Sequence, residues 1–150
     1  MSLKEKLQSD LTDAMRAKDE VRRSTLRMAL TAVTNEEVAG KQARELTDDD
    51  VLKVLGRELK KRKEAATAFS DAGQTERADR ELAEAGILES YLPAQLSDDE
   101  VSAIVATVIS DADVAGPAAM GQVMKAVQPK IAGRADGGRV AAEVKRQLSS

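Results

Sequence analysis

The chain has 150 residues, 42% of them hydrophobic and only 1% aromatic, with a formal net charge of −3. It contains no cysteine and no histidine. Disulfides, Cys/His zinc sites, Cys–His dyads and Ser–His–Asp triads are thereby excluded.

A core without aromatic bulk must be built from Leu, Val, Ile, Met and Ala, which suits close-packed helices better than sheets. Ser2 with Glu5 reads as a capping box, each side chain satisfying a backbone N–H freed at a helix start. Leu3, Leu7, Leu11 and Met15 recur every four residues as one apolar stripe. Asp19 caps a second helix with Leu26, Leu30 and Val33 inward, running out at Gly40 as a left-handed C-terminal residue. Thr47 with Asp50 opens a third helix, in which Leu52, Leu55, Leu59, Ala66 and Phe69 follow at helical spacing until Gly73. At roughly 25 residues this helix is longer than the usual globular one. The fourth runs from about Thr75 to Ser90 with Leu82, Ile87 and Leu88 apolar, so helices three and four read as an antiparallel hairpin turned at Gly73.

Pro93 in "YLPAQLS" breaks the rhythm, disfavouring helix at Leu92. Ser97 with Glu100 then opens a new helix with Val101, Ile104, Val105 and Val108 inward. The next helix takes Pro117 in its first turn, places Met120, Val123, Met124 and Val127 on its stripe and ends at Gly133, with Pro129 distorting its last turn. Asp136 caps the last helix, whose inner face is Val140, Val144 and Leu148. No β pattern occurs. The expectation is an all-α protein: an N-terminal helical domain over 1–92 containing the hairpin, then a three-helix domain over 93–150. Tyr91, beside Pro93, is expected to plug the seam between the halves with its hydroxyl reaching solvent or a carbonyl.

Charge is unevenly spread. Six cations fall between Lys53 and Lys63, five acids and no base between Asp98 and Asp113, and six cations against Asp136 and Glu143 from Lys125 to Arg146. The acidic runs "DDD" and "DDE" both begin helices, where carboxylates stabilise the N-terminal dipole, which accounts for them without chemistry. The opening "MSLKEKLQSD" has no apolar leader core, and the longest aliphatic run, "AIVATVI", is too short to span a bilayer. With no cysteine, these features suggest a cytoplasmic protein with no membrane partner.

"GRADGG" at 133–138 raises a choice between a phosphate loop and two helix caps back to back. It lacks the G-x-G-x-x-G spacing and the G-K-[ST] ending, and no strand precedes it. Asp136 would itself occupy the helix N-terminus where a phosphate would have to sit. The caps are the better reading, with no nucleotide cofactor. Gly137 and Gly138 are expected to let backbones approach, and Arg134 to stand exposed at the corner's tip.

Three segments carry a resemblance: "YLPAQLSDDEV" (91–101), the run from "MGQVMKAV" through "PKIAGRADG" (120–137), and "VKRQL" (144–148). In this order and spacing they resemble the YqeY family, small proteins similar to the C-terminal tail of the B subunit of glutamine-dependent aspartyl/glutamyl-tRNA amidotransferase. The N-terminal "LKEKLQSDLTDAMRAKDEVRRSTLRM" also looks like the family's opening. The resemblance implies an all-α accessory linked to tRNA-dependent amide transfer, without a catalytic site or cofactor of its own. Lys125, Lys130, Arg134 and Lys145 fall in matching segments, whereas Ala94, Gln122 and Gly138 stand where the family often has a basic residue.

Two kinds of partner follow. Lys125, Lys130, Arg134, Arg139, Lys145 and Arg146 are candidates for one basic surface that binds tRNA or another structured RNA by shape and phosphate. Single strands are disfavoured, because two aromatics cannot supply a row of stacking platforms. Alternatively, Lys53, Arg57 and Lys60, at spacings of four and three on the hairpin, would dock a protein partner, amidotransferase-related or other.

Overall fold

The computed structural model describes residues 1–131 and 133–150, and all regular structure among them is helical. Seven α-helices follow in order: α1 Leu3–Arg16, α2 Glu20–Glu37, α3 Asp48–Asp71, α4 Thr75–Glu89, α5 Asp98–Ala112, α6 Met120–Ile131 and α7 Gly137–Leu148. The chain divides into two compact units, Met1–Leu92 and Pro93–Ser150.

Helix starts obey local chemistry. Ser2/Glu5, Thr47/Asp50 and Ser97/Glu100 each form a reciprocal capping box, and the Asp19 carboxylate accepts from the Arg22 N–H. Two helix ends share one device. After α1, Asp19 N–H bonds the Ala14 carbonyl and Lys18 N–H that of Met15. After α3, Gln74 N–H bonds Phe69 and Gly73 N–H bonds Ser70. Both are Schellman ends with a left-handed residue at the turn, Lys18 (φ 57°) and Gly73 (φ 75°). Helix α2 closes differently from expectation. It stops at Glu37 with Val38 at its C-cap, and Arg44 N–H reaches back to the Glu37 carbonyl, so Gly40 is not its left-handed terminus.

In the first unit, Leu7 and Ala14 of α1, Leu26, Ala29 and Val33 of α2, Val51, Val54, Leu55 and Leu59 of α3, and Ala85 and Leu88 of α4 form one buried cluster. Two of the expected apolar positions are exposed instead. Met15 is 43% exposed because four-residue steps drift about 40° each on a 3.6-residue helix, so the inward face passes to Ala14. Leu82 is 54% exposed. It lies about 90° from the middle of the α4 face that buries Ala78, Glu84, Ala85 and Leu88. Charge fills part of that α3–α4 seam: Arg62 Nη1 lies 3.5 Å from Glu81 and 3.9 Å from Glu84, and its Nη2 lies 3.3 Å from Glu58. Phe69 is half-buried and lies outside the core cluster, with the Arg77 guanidinium 5.8 Å from its ring centre.

Tyr91 packs on the core of this first unit, and its hydroxyl donates to the Asp10 carboxylate instead of reaching solvent or a carbonyl.

The second unit packs Val101, Val105 and Val108 of α5, Val123, Val127 and Ile131 of α6, and Val140, Val144 and Leu148 of α7 around Leu96. Pro117–Ala119 is a separate 3₁₀ turn entered through Gly116 (φ 84°), so Pro117 precedes α6 and is not its first turn. Helix α6 runs through Pro129, which cannot donate to the Lys125 carbonyl, as far as Ile131. No single described helix is long and apolar enough to cross a membrane. The most apolar stretch, α5 with 117–131, is bent by 99° and spends its valines on the core of this unit.

Candidate nucleic-acid interface

Charge in the second unit is segregated by helix. Helix α5 and its cap carry Asp98, Asp99, Glu100, Asp111 and Asp113 with no cation, whereas residues 120–148 carry six cations against Asp136 and Glu143. The candidate interface therefore belongs to α6, the corner and α7.

The corner is built by backbone geometry. Gly133 has φ 77°, a conformation that favours glycine, and lets the chain turn after α6. Asp136 follows at the N-cap position of α7 with extended backbone, and its carbonyl accepts from the Val140 N–H. A Cβ on Gly138 would lie 3.2 Å from the Asp136 carboxylate, and one on Gly137 would meet nothing within 4 Å. The glycine pair thus makes room for the local Asp136 side chain and for no second backbone.

Three of the six cations are spent on the fold. Arg134 is half-buried and not an exposed tip: its Nη2 donates to the Lys130 carbonyl at 3.1 Å and its Nε to Ile131 at 3.4 Å. It closes the carbonyl end of α6, where positive charge is favourable. Its own carbonyl accepts the Leu96 N–H at 2.7 Å. Arg139 donates to the Leu96 carbonyl at 2.6 Å and lies 3.4 Å from Asp98, so the same segment is held from two sides. Arg146 makes a two-point contact with Glu143, a carboxylate that also accepts from Gln147 Nε2 at 2.7 Å. These bonds, that of Arg146 first and that of Gln147 next, hold the Glu143 carboxyl down at about 2.

Lys125, Lys130 and Lys145 are exposed, and no carboxylate pairs with them among the described residues. Lys125 and Lys130 sit five positions apart, about 140° around α6, so they flank the helix and do not share one face. In the first unit, Arg57 pairs with Glu36 at 3.1 Å, while Lys53 and Lys60 are exposed on the same side of α3. Among the described residues no three carboxylates gather in a way that could hold a metal ion.

The profile of a family described as Yqey-like protein matches residues 4–148. Among curated proteins, the chain is similar to "Altered inheritance of mitochondria protein 41, mitochondrial" of Kluyveromyces lactis, 31% identical over 107 residues, 70% of this chain and 57% of that protein. A protein of the same name in Clavispora lusitaniae is 31% identical over 97 residues, 63% of this chain and 55% of its own length. An uncharacterised protein of Schizosaccharomyces pombe is 32% identical over 93 residues, 61% of this chain and 73% of its own length. The chain thus matches little more than half the length of the two mitochondrial relatives. Their names correct the expected cytoplasmic location. Organellar targeting segments are amphipathic and Arg-rich, so the apolar content of the opening residues does not bear on this location.

Proposed function

Because the chain belongs to the YqeY family, we propose that it is an accessory of tRNA-dependent amide transfer or another RNA-linked process, docking on structured RNA without making or breaking covalent bonds. The observation that carries this reading is the set of exposed lysines with no carboxylate partner among the described residues, Lys125, Lys130 and Lys145, on α6 and α7, which carry the charge opposite to that of α5. Phosphate attraction depends on the number of cations free to replace counterions. Arg134 and Arg139 serve here by holding the corner and the 96–98 segment in shape, while Arg146 is occupied by Glu143 on its own helix. The resemblance to the amidotransferase tail, which contacts the tRNA body, favours tRNA as the RNA.

Fluorescence titration of labelled bulk tRNA tests it. Micromolar binding that weakens steeply with salt supports the reading; no binding at low salt by folded protein removes it.

A second reading has the α3–α4 hairpin dock on a protein partner. Leu82, 54% exposed on α4, favours it, and α3 of the same hairpin carries Lys53 and Lys60 exposed. Partners captured from native extract that survive nuclease treatment and are lost on Leu82→Asp would support it over RNA.

A further inference from the structure

A cleft of about 460 Å³ lies between α2 and α3 in the first unit, lined by no residue assigned above to RNA. One wall is a single face of α2, with Ser24, Arg27, Met28, Thr31, Ala32 and Asn35 at steps of three and four. Glu58 and Arg62 of α3 form the other wall, and Arg23 stands at the rim. The floor offers Met28 and Ala32, both half-buried.

The charges are unbalanced. Glu58, the one carboxylate lining the cleft, is already bridged by Lys61 at 3.5 Å and Arg62 at 3.3 Å. Arg62 is held at 20% exposure by Glu58, Glu81 and Glu84, and its buried Nε–H has no acceptor among the described residues. Arg27 is exposed and makes no ion pair among the described residues; its Nη2 has the Met15 sulfur at 3.7 Å. Among the described residues Arg23 has one ion pair, a 3.5 Å contact with Glu20, which is 80% exposed, a pair of little strength. Arg27 thus keeps, beside a concave surface, a guanidinium without a carboxylate partner among the described residues. Guanidinium forks match phosphate oxygens two at a time, and an apolar floor beside them suits a ligand with a non-polar body.

We propose that this cleft binds a small phosphate ester, its phosphate held by Arg27 and Arg23 and its non-polar part lying over Met28 and Ala32. The helical spacing from Ser24 to Asn35 gives the face a length of about 16 Å, room for a ligand of nucleoside diphosphate size. Asn35, exposed at the far end, is placed to hydrogen-bond a polar edge of that body.

The test titrates the full chain separately with pyrophosphate, ADP, adenosine and succinate, following the arginine side-chain N–H resonances and the heat of binding. Saturable binding of pyrophosphate and ADP is expected, tighter for ADP, with adenosine and succinate inert and the Arg27 and Arg23 resonances shifting. Arg27→Ala and Arg23→Ala, both at positions outside the core, should keep the helical spectrum of the wild type and weaken ADP binding about tenfold each. Succinate binding as well as ADP, no saturation at millimolar ADP, or equal ADP affinity in Arg27→Ala and wild type would each overturn the assignment. Failure here leaves RNA docking by the second unit untouched, and the converse holds.

Discussion

The Tyr91 hydroxyl donates to the Asp10 carboxylate, 81 residues earlier in the chain. The Arg22 guanidinium donates to the same hydroxyl oxygen at 3.2 Å, and the Lys6 ammonium lies 3.2 Å from Asp10 and 5.7 Å from the tyrosine ring centre. Four residues thereby fasten the chain after α4 to α1 and α2. Burial first, and the Asp10 bond second, push the Tyr91 phenol well above its ordinary value; the Tyr91 bond is the main reason that the Asp10 carboxyl sits below its own. Tyr91→Phe should cost about 1–2 kcal/mol in urea unfolding. In the same variant the Asp10 carboxyl, followed by NMR titration, should move up toward the usual carboxylate range.

Glu143 sets an acid limit on the second unit. Its folded carboxyl titrates at about 2, below the ordinary 4.5. The unfolded chain therefore takes up a proton across that interval that the folded chain refuses, so unfolding is favoured as pH falls. The contribution is fully present above about 4.5 and is gone below about 2. Glu143→Gln should flatten this part of the acid dependence, read as the change in denaturation midpoint between neutral pH and pH near 3.

Lys18 and Gly73 hold the same left-handed position at the ends of α1 and α3, with only one of them built for it. Left-handed backbone costs a residue with a Cβ about 1–2 kcal/mol, and glycine gives back part of that in unfolded-state entropy. Lys18→Gly should therefore stabilise the protein by roughly 0.5 kcal/mol. Gly73→Ala should destabilise it by about 1 kcal/mol. A Cβ at Gly73 meets nothing within 4 Å, so the second effect is backbone strain alone. Thermal melts of the two variants check both signs.

Arg139 separates holding the fold from binding RNA. Its bond to the Leu96 carbonyl and its contact with Asp98 fix the strap that enters α5. Arg139→Ala should speed hydrogen exchange at the Leu96 amide, whose own partner is the Arg134 carbonyl. Lys125→Ala should leave that exchange unchanged, since Lys125 touches none of these groups.

Much of the fold was legible because its signals are local. The three capping boxes, Asp19, and the glycine turns at 73 and 133 depend on residues within a few positions of each other, and each formed. The valine stripes of α5 and α7 were equally plain. Several readings that needed the third dimension failed. Helix α4 buries Ala78, Glu84 and Ala85 beside the single leucine Leu88, so its inward face carries a weak stripe and Leu82 points to the wrong side. The basic run of the tail reads as one patch along the sequence. Half of it is consumed by carbonyls at 96, 130 and 131 and by Glu143, and those carbonyls carry no signature in side-chain spacing. The cleft beside α2 has no signature in the sequence for a related reason: Arg23 and Arg27 look like ordinary surface until α3 brings Glu58 and Arg62 opposite them.

The most direct measurement compares wild type with the Lys125→Ala/Lys130→Ala/Lys145→Ala triple variant in tRNA titrations across a range of salt. If these lysines meet phosphate, the slope of log affinity against log salt should shallow by about 2–3 in the variant, with helicity unchanged. Equal affinity and equal slope in the two proteins would contradict docking by this surface.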